Sequence, residues 1–384
     1  MSKIKILHVL SDTNIGGAGV VLLNQLKHFD KDKFLIKVIL PQNSKLKPEI
    51  ENLGYEVIET QNGADKSLDR RTIPEFMRIF KREKPNIVHT HSSMSARIAA
   101  KLRKVKTRVF TKHCVEGSSR LHGIAGNMLS THVIATDYAS REALLQSGVK
   151  PKKITVIING VDPLRTLTDE EKAKTRGEFG IKDSDFVFGI TGRLEPIKGQ
   201  KYFIEAAKIV SEKYDNCKFV IVGTGGDEDS LKRQTIDVGL NVGRDALGTP
   251  RDIADKVIFT GFLTDISAIT NIMDVIVNCS DSETSCLALS EAFSLAKPAI
   301  ATNGGGNPYM VINGDNGLIV PIRDSEAIAA DMETMMIDKD MYSGMSETAR
   351  KHYLEKFTAE VMTRQLENIY VGAIINRPQA KGDM

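Results

Sequence analysis

The chain has 384 residues, a size at which one hydrophobic core stops growing, so two domains of roughly 150 to 200 residues each are expected. Hydrophobic residues make up 41% and charged residues 26%, and no Pro/Gly/Ser-rich tract interrupts them, which excludes a fibrous or largely disordered protein. The net charge of +3 hides an asymmetry: residues 1–150 carry 25 lysines and arginines against about half as many acidic residues, so the remainder is net acidic.

The opening Met1-Ser-Lys-Ile-Lys5 leads directly into a short apolar strand pattern without the longer apolar core and cleavage site of a signal peptide. No apolar run reaches the ~18 residues of a membrane span. The four cysteines, Cys114, Cys217, Cys279 and Cys286, are widely spaced and contain no CxxC pair, which predicts reduced thiols, a cytoplasmic location and no zinc site. The stretch Lys101-Leu-Arg-Lys-Val-Lys-Thr-Arg108 suits anionic lipid headgroups or a phosphorylated acceptor, and equally a solvated helix face.

Val/Ile-rich runs alternate with helix-length amphipathic segments along the first half. Lys5–Leu10, Phe34–Leu40, Ile87–His91, Arg108–Lys112, His132–Thr136 and Thr155–Ile158 read as strands with helices between them. Strands joined by crossover helices pair in parallel, which predicts an α/β doubly wound sheet. The pattern restarts with Phe186–Thr191, Lys218–Val222, Lys256–Thr260, Val275–Cys279, Ala299–Thr302 and Gly317–Val320. The predicted organisation is a first domain over 1–162, a linker and entry helix over 163–185, a second domain over 186–357, and a C-terminal segment over 358–384. That last segment holds a helix from Ala359 to Ile375, expected to return to the first domain, and a frayed tail.

Three strand-to-helix turns carry candidate chemistry. After the first strand, Gly16-Gly-Ala-Gly19 precedes a helix pattern beginning at Val20. Glycines there let a backbone approach a ligand, and a helix N-terminus attracts phosphate. The turn is not GxGxxG and no acidic residue closes a clear next strand, which disfavours a nicotinamide dinucleotide. The second domain opens with Gly192-Arg-Leu-Glu-Pro-Ile-Lys-Gly199, whose Arg193 and Lys198 can aim two cations at one diphosphate. Finally, Ser280-Asp-Ser-Glu283 leads into a helix pattern carrying Glu291. Eight residues are ~2.2 helical turns, so Glu283 is expected at the helix cap with Glu291 deeper on roughly the same face. Carboxylates there suit sugar and ribose hydroxyls, and the amides from Thr284 to Leu287 suit phosphate.

Taken together with Val88-His-Thr-His91, Ile158-Asn-Gly-Val-Asp162, Val222-Gly-Thr-Gly225, Phe259-Thr-Gly-Phe262, Ser282-Glu-Thr-Ser-Cys-Leu-Ala-Leu-Ser-Glu-Ala292, Lys297-Pro-Ala-Ile-Ala-Thr302 and Asn313-Gly-Asp-Asn-Gly-Leu318, these motifs run in one order. In that order the chain resembles the family 4 glycosyltransferases of the GT-B fold over essentially its full length. The resemblance implies two Rossmann-like domains facing a deep interdomain cleft, and a retaining, nucleotide-sugar-dependent transfer. It implies that Arg193 and Lys198 bind the donor diphosphate, Glu291 the ribose and Glu283 the donor sugar. The backbone near Phe262 would read the base, Thr284, Ser285 and Leu287 would line the donor, and Gly16 and Gly17 would close over the phosphates. His113 falls where the family places a histidine against the sugar, while His89 and His91 read as structural.

Thr284 and Cys286 stand where glycines are frequent in the family, Ala296 replaces another, and Gly304-Gly-Gly-Asn-Pro308 is followed by Tyr309 instead of an acidic residue. These departures bear on which sugar is used. The expected reaction moves a hexose or N-acetylhexosamine from a nucleoside diphosphate donor, expected to be UDP-linked, to a hydroxyl of a glycan or lipid-linked acceptor in cell-surface polysaccharide or glycolipid synthesis. The donor is a co-substrate and no other cofactor is expected; nucleic acid is not an expected partner, and contact with an anionic membrane at its inner face is. Asp281-Ser-Glu283 superficially looks like a metal-binding triplet, but Arg193 and Lys198 already supply countercharge, so no metal is expected. A nucleotide-sugar 2-epimerase and a non-catalytic partner subunit are the alternatives.

Overall fold

The computed structural model describes residues 3–91, 93–113, 119–243 and 255–375; Cys114 and the tail 376–384 lie outside them. The chain divides into two compact units, one running to Val161 and resuming at Ala359, the other spanning Asp162–Thr358.

In the first unit the strands are β1 (Ile4–Leu10), β2 (Phe34–Pro41), β3 (Glu56–Thr60), β4 (Ile87–His91), β5 (Thr107–Lys112), β6 (His132–Ala135) and β7 (Ile154–Val156). Between them run α1 (Gly17–His28), α2 (Leu46–Asn52), α3 (Thr72–Glu83), α4 (Met94–Leu102), α5 (Arg120–Leu129) and α6 (Tyr138–Gln146). All pairings are parallel in the order β3-β2-β1-β4-β5-β6-β7, so the strand order reverses between β1 and β4. Side chains alternate across a strand. Leu7, Val9 and Val88 therefore enter the core with Phe76, Phe80 and Ala99 of α3 and α4, whereas His8, His89, His91 and Thr111 share the opposite face.

The second unit contains β8 (Phe186–Thr191), β9 (Cys217–Val222), β10 (Val242–Gly243), β11 (Val257–Gly261), β12 (Val275–Asn278), β13 (Ala299–Thr302) and β14 (Gly317–Val320). Its helices are α7 (Asp169–Glu178), α8 (Gln200–Ser211), α9 (Glu228–Asp237), α10 (Ser267–Ile272), α11 (Leu287–Ser294), α12 (Asn307–Met310), α13 (Ser325–Ile337) and α14 (Lys339–His352). The parallel order is β10-β11-β9-β8-β12-β13-β14, which reverses between β8 and β12. Phe188, Phe203, Phe219 and Phe259 fill its core. The last helix, α15 (Ala359–Ile375), packs on α1 in the first unit, burying Met362, Leu366 and Tyr370 at four-residue spacing.

Several local expectations are corrected. β3 was not foreseen because Glu56-Val-Ile-Glu-Thr60 is an edge strand with exposed glutamates, and β10 because it is two residues long. The helix α1 begins at Gly17, not Val20: Gly16 is its N-cap, and Gly19 sits where an added Cβ would lie 2.9 Å from Leu46. Helix α11 begins at Leu287 with Cys286 as N-cap, so Glu283 lies on the preceding loop and not at the cap. The stretch 163–185 lies within the second unit, where a Thr168–Glu171 capping box starts α7.

Candidate active site

In open α/β sheets ligands bind beyond the carboxyl ends of the strands where their order reverses. At that point of the second unit, the loop after β8 brings Lys198 to the loop after β12. Lys198 Nζ lies 2.5 Å from Glu283 Oε2, which also accepts from the Ser280 hydroxyl at 3.2 Å. The approach depends on Gly199. Its φ is +69°, and a Cβ there would stand 2.1 Å from the Cys279 carbonyl oxygen. The pocket formed here is lined by Thr191, Lys198, Gln200, Asn278, Ser280 and Glu283. Burial works against the Lys198 charge, but Glu283 outweighs it and holds the ammonium above the ordinary lysine range.

A neutral scaffold absent from the sequence motifs supports the Glu283 loop. The Asn278 side-chain oxygen accepts from the Ser280 and Asn307 nitrogens, the Thr302 hydroxyl donates to the Ser280 carbonyl at 2.6 Å, and the Gly306 N–H donates to the Glu283 carbonyl at 2.7 Å. Its signal was an asparagine ending β12, visible only once Asn307 is seen to reach it. Arg193 is turned differently from Lys198: it is exposed and pairs with Glu195 at 2.8 Å. Asp281 is engaged by Arg323, so each carboxylate of Asp281-Ser-Glu283 faces a cation of the chain. Glu291 lies on α11, and burial pushes its carboxyl up to about 7. Ser285 is buried, Thr284 and Leu287 are half-buried beside it at the start of α11, and Phe262 is exposed directly after β11.

In the first unit, Gly16 and Gly17 are exposed, and a Cβ on either would meet nothing within 4 Å. Thr13 anchors their loop by donating its hydroxyl and its N–H to Asp65 at 2.5 and 2.9 Å. His113 follows β5 and is half-buried; its Nε2 lies 3.0 Å from His91 Nδ1. Behind it the chain continues: His91 Nε2 lies 3.0 Å from His8 Nδ1, and His8 Nε2 lies 3.3 Å from the Tyr370 hydroxyl. That hydroxyl is 2.5 Å from His89 Nδ1, and His89 Nε2 is 2.7 Å from Thr111 Oγ1. Burial lowers the imidazoles, His8 to about 3, His113 to about 4, and His89 and His91 well below the usual value. All are therefore neutral at pH 7. The ligating nitrogens of His8, His89 and His91 lie within 4.8 Å of one another. Sequence reasoning passed over His8, which carries no motif.

Residues 15–165 match the family model described as Glycosyltransferase Family 4, and residues 171–352 the model described as Glycosyl transferases group 1. Among curated relatives, the UDP-Gal:alpha-D-GlcNAc-diphosphoundecaprenol alpha-1,3-galactosyltransferase of Escherichia coli is 28% identical, over 98% of this chain and 99% of that protein. The capsular polysaccharide biosynthesis glycosyltransferase CapM of Staphylococcus aureus is 24% identical, over 96% and 97%. Among solved structures, Anabaena Alr3699/HepE in complex with UDP and glucose superposes with a TM-score of 0.81 at 22% identity, covering 96% of this chain and all of that one. A glycosyltransferase from Rickettsia africae gives a TM-score of 0.84 at 20% identity, covering 98% of this chain and all of that one.

Proposed function

Because the chain belongs to glycosyltransferase family 4 and is a GT-B glycosyltransferase using a sugar-nucleotide donor in polysaccharide or glycolipid synthesis, we propose that it transfers a hexose or N-acetylhexosamine from a UDP-linked donor, with retention and without a metal, to a hydroxyl of a lipid-linked glycan. The observation that carries this reading is the Lys198–Glu283 pair at the reversal of the second sheet. A half-buried ammonium held charged by a neighbouring carboxylate suits a diphosphate whose negative charge grows as the sugar departs. In this reading Lys198 turns to the diphosphate, helped by Arg193 once it leaves Glu195, and Glu283 receives a sugar hydroxyl. Glu291 accepts from the ribose, Thr284 and Ser285 on the loop before α11 line the diphosphate with Leu287 at its start, and the backbone at Phe262 meets the base. Gly16 and Gly17 supply bare backbone for the phosphates, a reading supported by their exposure and by the absence of any φ or described neighbour that requires glycine there. His113 contacts the sugar.

The relative acting on a diphosphoundecaprenol acceptor and the surface of the first unit together support a membrane-bound acceptor. Helix α5 turns Leu121, Ile124 and Met128, which are 76%, 54% and 56% exposed, to solvent at positions i, i+3 and i+7. Beside its C-terminal end, Lys153 and Arg108 donate to the Asn127 and Leu129 carbonyls, and Lys101, Lys150 and Lys152 lie near enough to depress Lys153, whose charge burial already disfavours. An apolar stripe ending in a basic cluster fits an anionic leaflet.

The donor test is incubation with UDP-, GDP- and ADP-sugars. Turnover is expected with a UDP-sugar, falling by about 10² to 10³ in Lys198→Ala; unchanged turnover in that variant would reject the reading. The surface test is co-sedimentation with vesicles. Binding to phosphatidylserine-containing vesicles is expected to fall at least about tenfold in an Ile124→Glu, Met128→Glu variant; equal binding to zwitterionic and anionic vesicles would count against recognition of an anionic leaflet, and binding to neither would count against membrane contact.

A further inference from the structure

Five hydrogen bonds join Thr111, His89, Tyr370, His8, His91 and His113, in that order, into one chain inside the first unit. Every ring nitrogen of His8, His89 and His91 is used in it, so the trio presents itself as a relay and not as a set of open lone pairs for a cation. A neutral imidazole has one N–H and one lone pair, and a phenol has one proton to give. Within the imidazoles each link dictates the next, but the phenol oxygen can also accept twice, so three arrangements satisfy the five links: every proton points toward His113, every proton points away from it, or both halves of the chain point at Tyr370. The last leaves the phenol proton of the fully buried Tyr370 without an acceptor and is disfavoured, so the first two remain.

Thr111 breaks this tie. Its hydroxyl is buried, and among the described residues its hydrogen-bond partner is His89 Nε2. If the protons run toward His113, the hydroxyl donates to His89 and no donor in the chain is left over. If they run away, His89 donates to Thr111, and the hydroxyl proton is left buried without an acceptor, the costly outcome for a polar group out of water. The other end has no such penalty, because His113 is half-buried and can meet solvent or a ligand in either form. The bias toward the first arrangement is about tenfold or more.

We infer that the Thr111 hydroxyl, acting through His89, Tyr370, His8 and His91, fixes His113 as the tautomer with its proton on Nδ1, so that His113 offers a hydrogen-bond donor at the end of β5 and not a base. The five partners are positioning residues. The low basicity that burial imposes on all four rings keeps the chain neutral and its polarity defined near pH 7. The functional consequence rests on the reading that His113 contacts the donor sugar: an Nδ1–H there holds a sugar oxygen and does not abstract the acceptor's proton. Because Tyr370 lies on α15, it also gives the C-terminal helix a share in setting the chemistry of a side chain after β5.

The test is nitrogen-15 NMR of the full-length, ligand-free chain with labelled histidine, the His113 signals being identified by their loss in His113→Gln. Proton attachment at Nδ1 and a bare Nε2 are expected for His113 in the wild type and in Thr111→Ser, which keeps the hydroxyl. Thr111→Val, similar in volume but without the hydroxyl, is expected to give a mixture or a reversal, together with a loss of about tenfold in kcat/KM for UDP-sugar turnover that Thr111→Ser does not show. A wild-type His113 with its proton on Nε2 overturns the inference, as does an unchanged tautomer in Thr111→Val. If Thr111→Val does not fold, the wild-type assignment alone decides. Absence of turnover with every nucleotide sugar, alongside an Nδ1–H on His113, sinks the transferase reading and leaves the tautomer assignment standing.

Discussion

At the carboxyl edge of the first sheet the buried polar groups nearest the strand reversal are neutral: His8, His89, His91, the Tyr370 phenol and the Thr111 hydroxyl. At the same edge of the second sheet stand Lys198 and Glu283 as an ion pair, and the following helix α11 carries Glu291. Two sheets of the same parallel architecture thus end in opposite chemistry. Neutral hydrogen-bonded rings can be buried at modest cost and hold a geometry closely. An ion pair costs far more to desolvate and is sensitive to the loss of one partner. The first arrangement suits a side chain that must be oriented, the second a pair of charges that a charged ligand will separate.

Glu291 offers the larger break in this contrast. Its folded pKa of about 7 lies above the unfolded carboxylate value near 4.5, so its protonated form favours the fold. Stability from this group is complete below about pH 4.5 and is lost as pH rises through 7, a difference of about 3 kcal/mol at alkaline pH. Glu291→Gln is expected to raise the unfolding temperature at pH 8 and to leave it nearly unchanged at pH 4, while weakening binding of the UDP-sugar. Calorimetric melts at the two pH values check this; equal melting shifts at both would mean that the carboxyl is not held protonated by the fold.

His8→Phe sharpens the other side. It removes the link between Tyr370 and His91 and should cost about 1–3 kcal/mol. Because His8 stays neutral in the fold while an unfolded histidine protonates near pH 6.5, the wild type loses stability as pH falls to 6 and the variant does not, so the cost should be smaller at pH 6 than at pH 8 by about 1 kcal/mol. Urea unfolding at both pH values measures it, and a cost that grows as pH falls from 8 to 6 would show that His8 is charged in the native state.

Most of the fold was legible because parallel strands buried on both faces are nearly continuous Val/Ile runs: Ile87–His91, Phe186–Thr191, Ala299–Thr302 and Gly317–Val320 coincide with the strands observed. β3 escaped because an edge strand need not be apolar, and the start of α1 because glycines read as loop even where they open a helix. Within the candidate site, Lys198 and Glu283 could be named from their motifs, yet their contact spans 85 residues and depends on Gly199 passing the Cys279 carbonyl. Arg193 matched the same motif, and its local partner is Glu195.

Two doubly wound sheets, and the strand-end loops that carry cations and carboxylates, follow from period, turn residues and charge, which are local properties of the chain. How those groups are joined is a property of the folded molecule alone. Parallel register puts His8, His89, His91 and Thr111 on one face, and α15, more than 250 residues further along, brings Tyr370 between two of the rings. A hydrogen bond fixes direction over about 3 Å, and no local pattern encodes which distant partner will supply it.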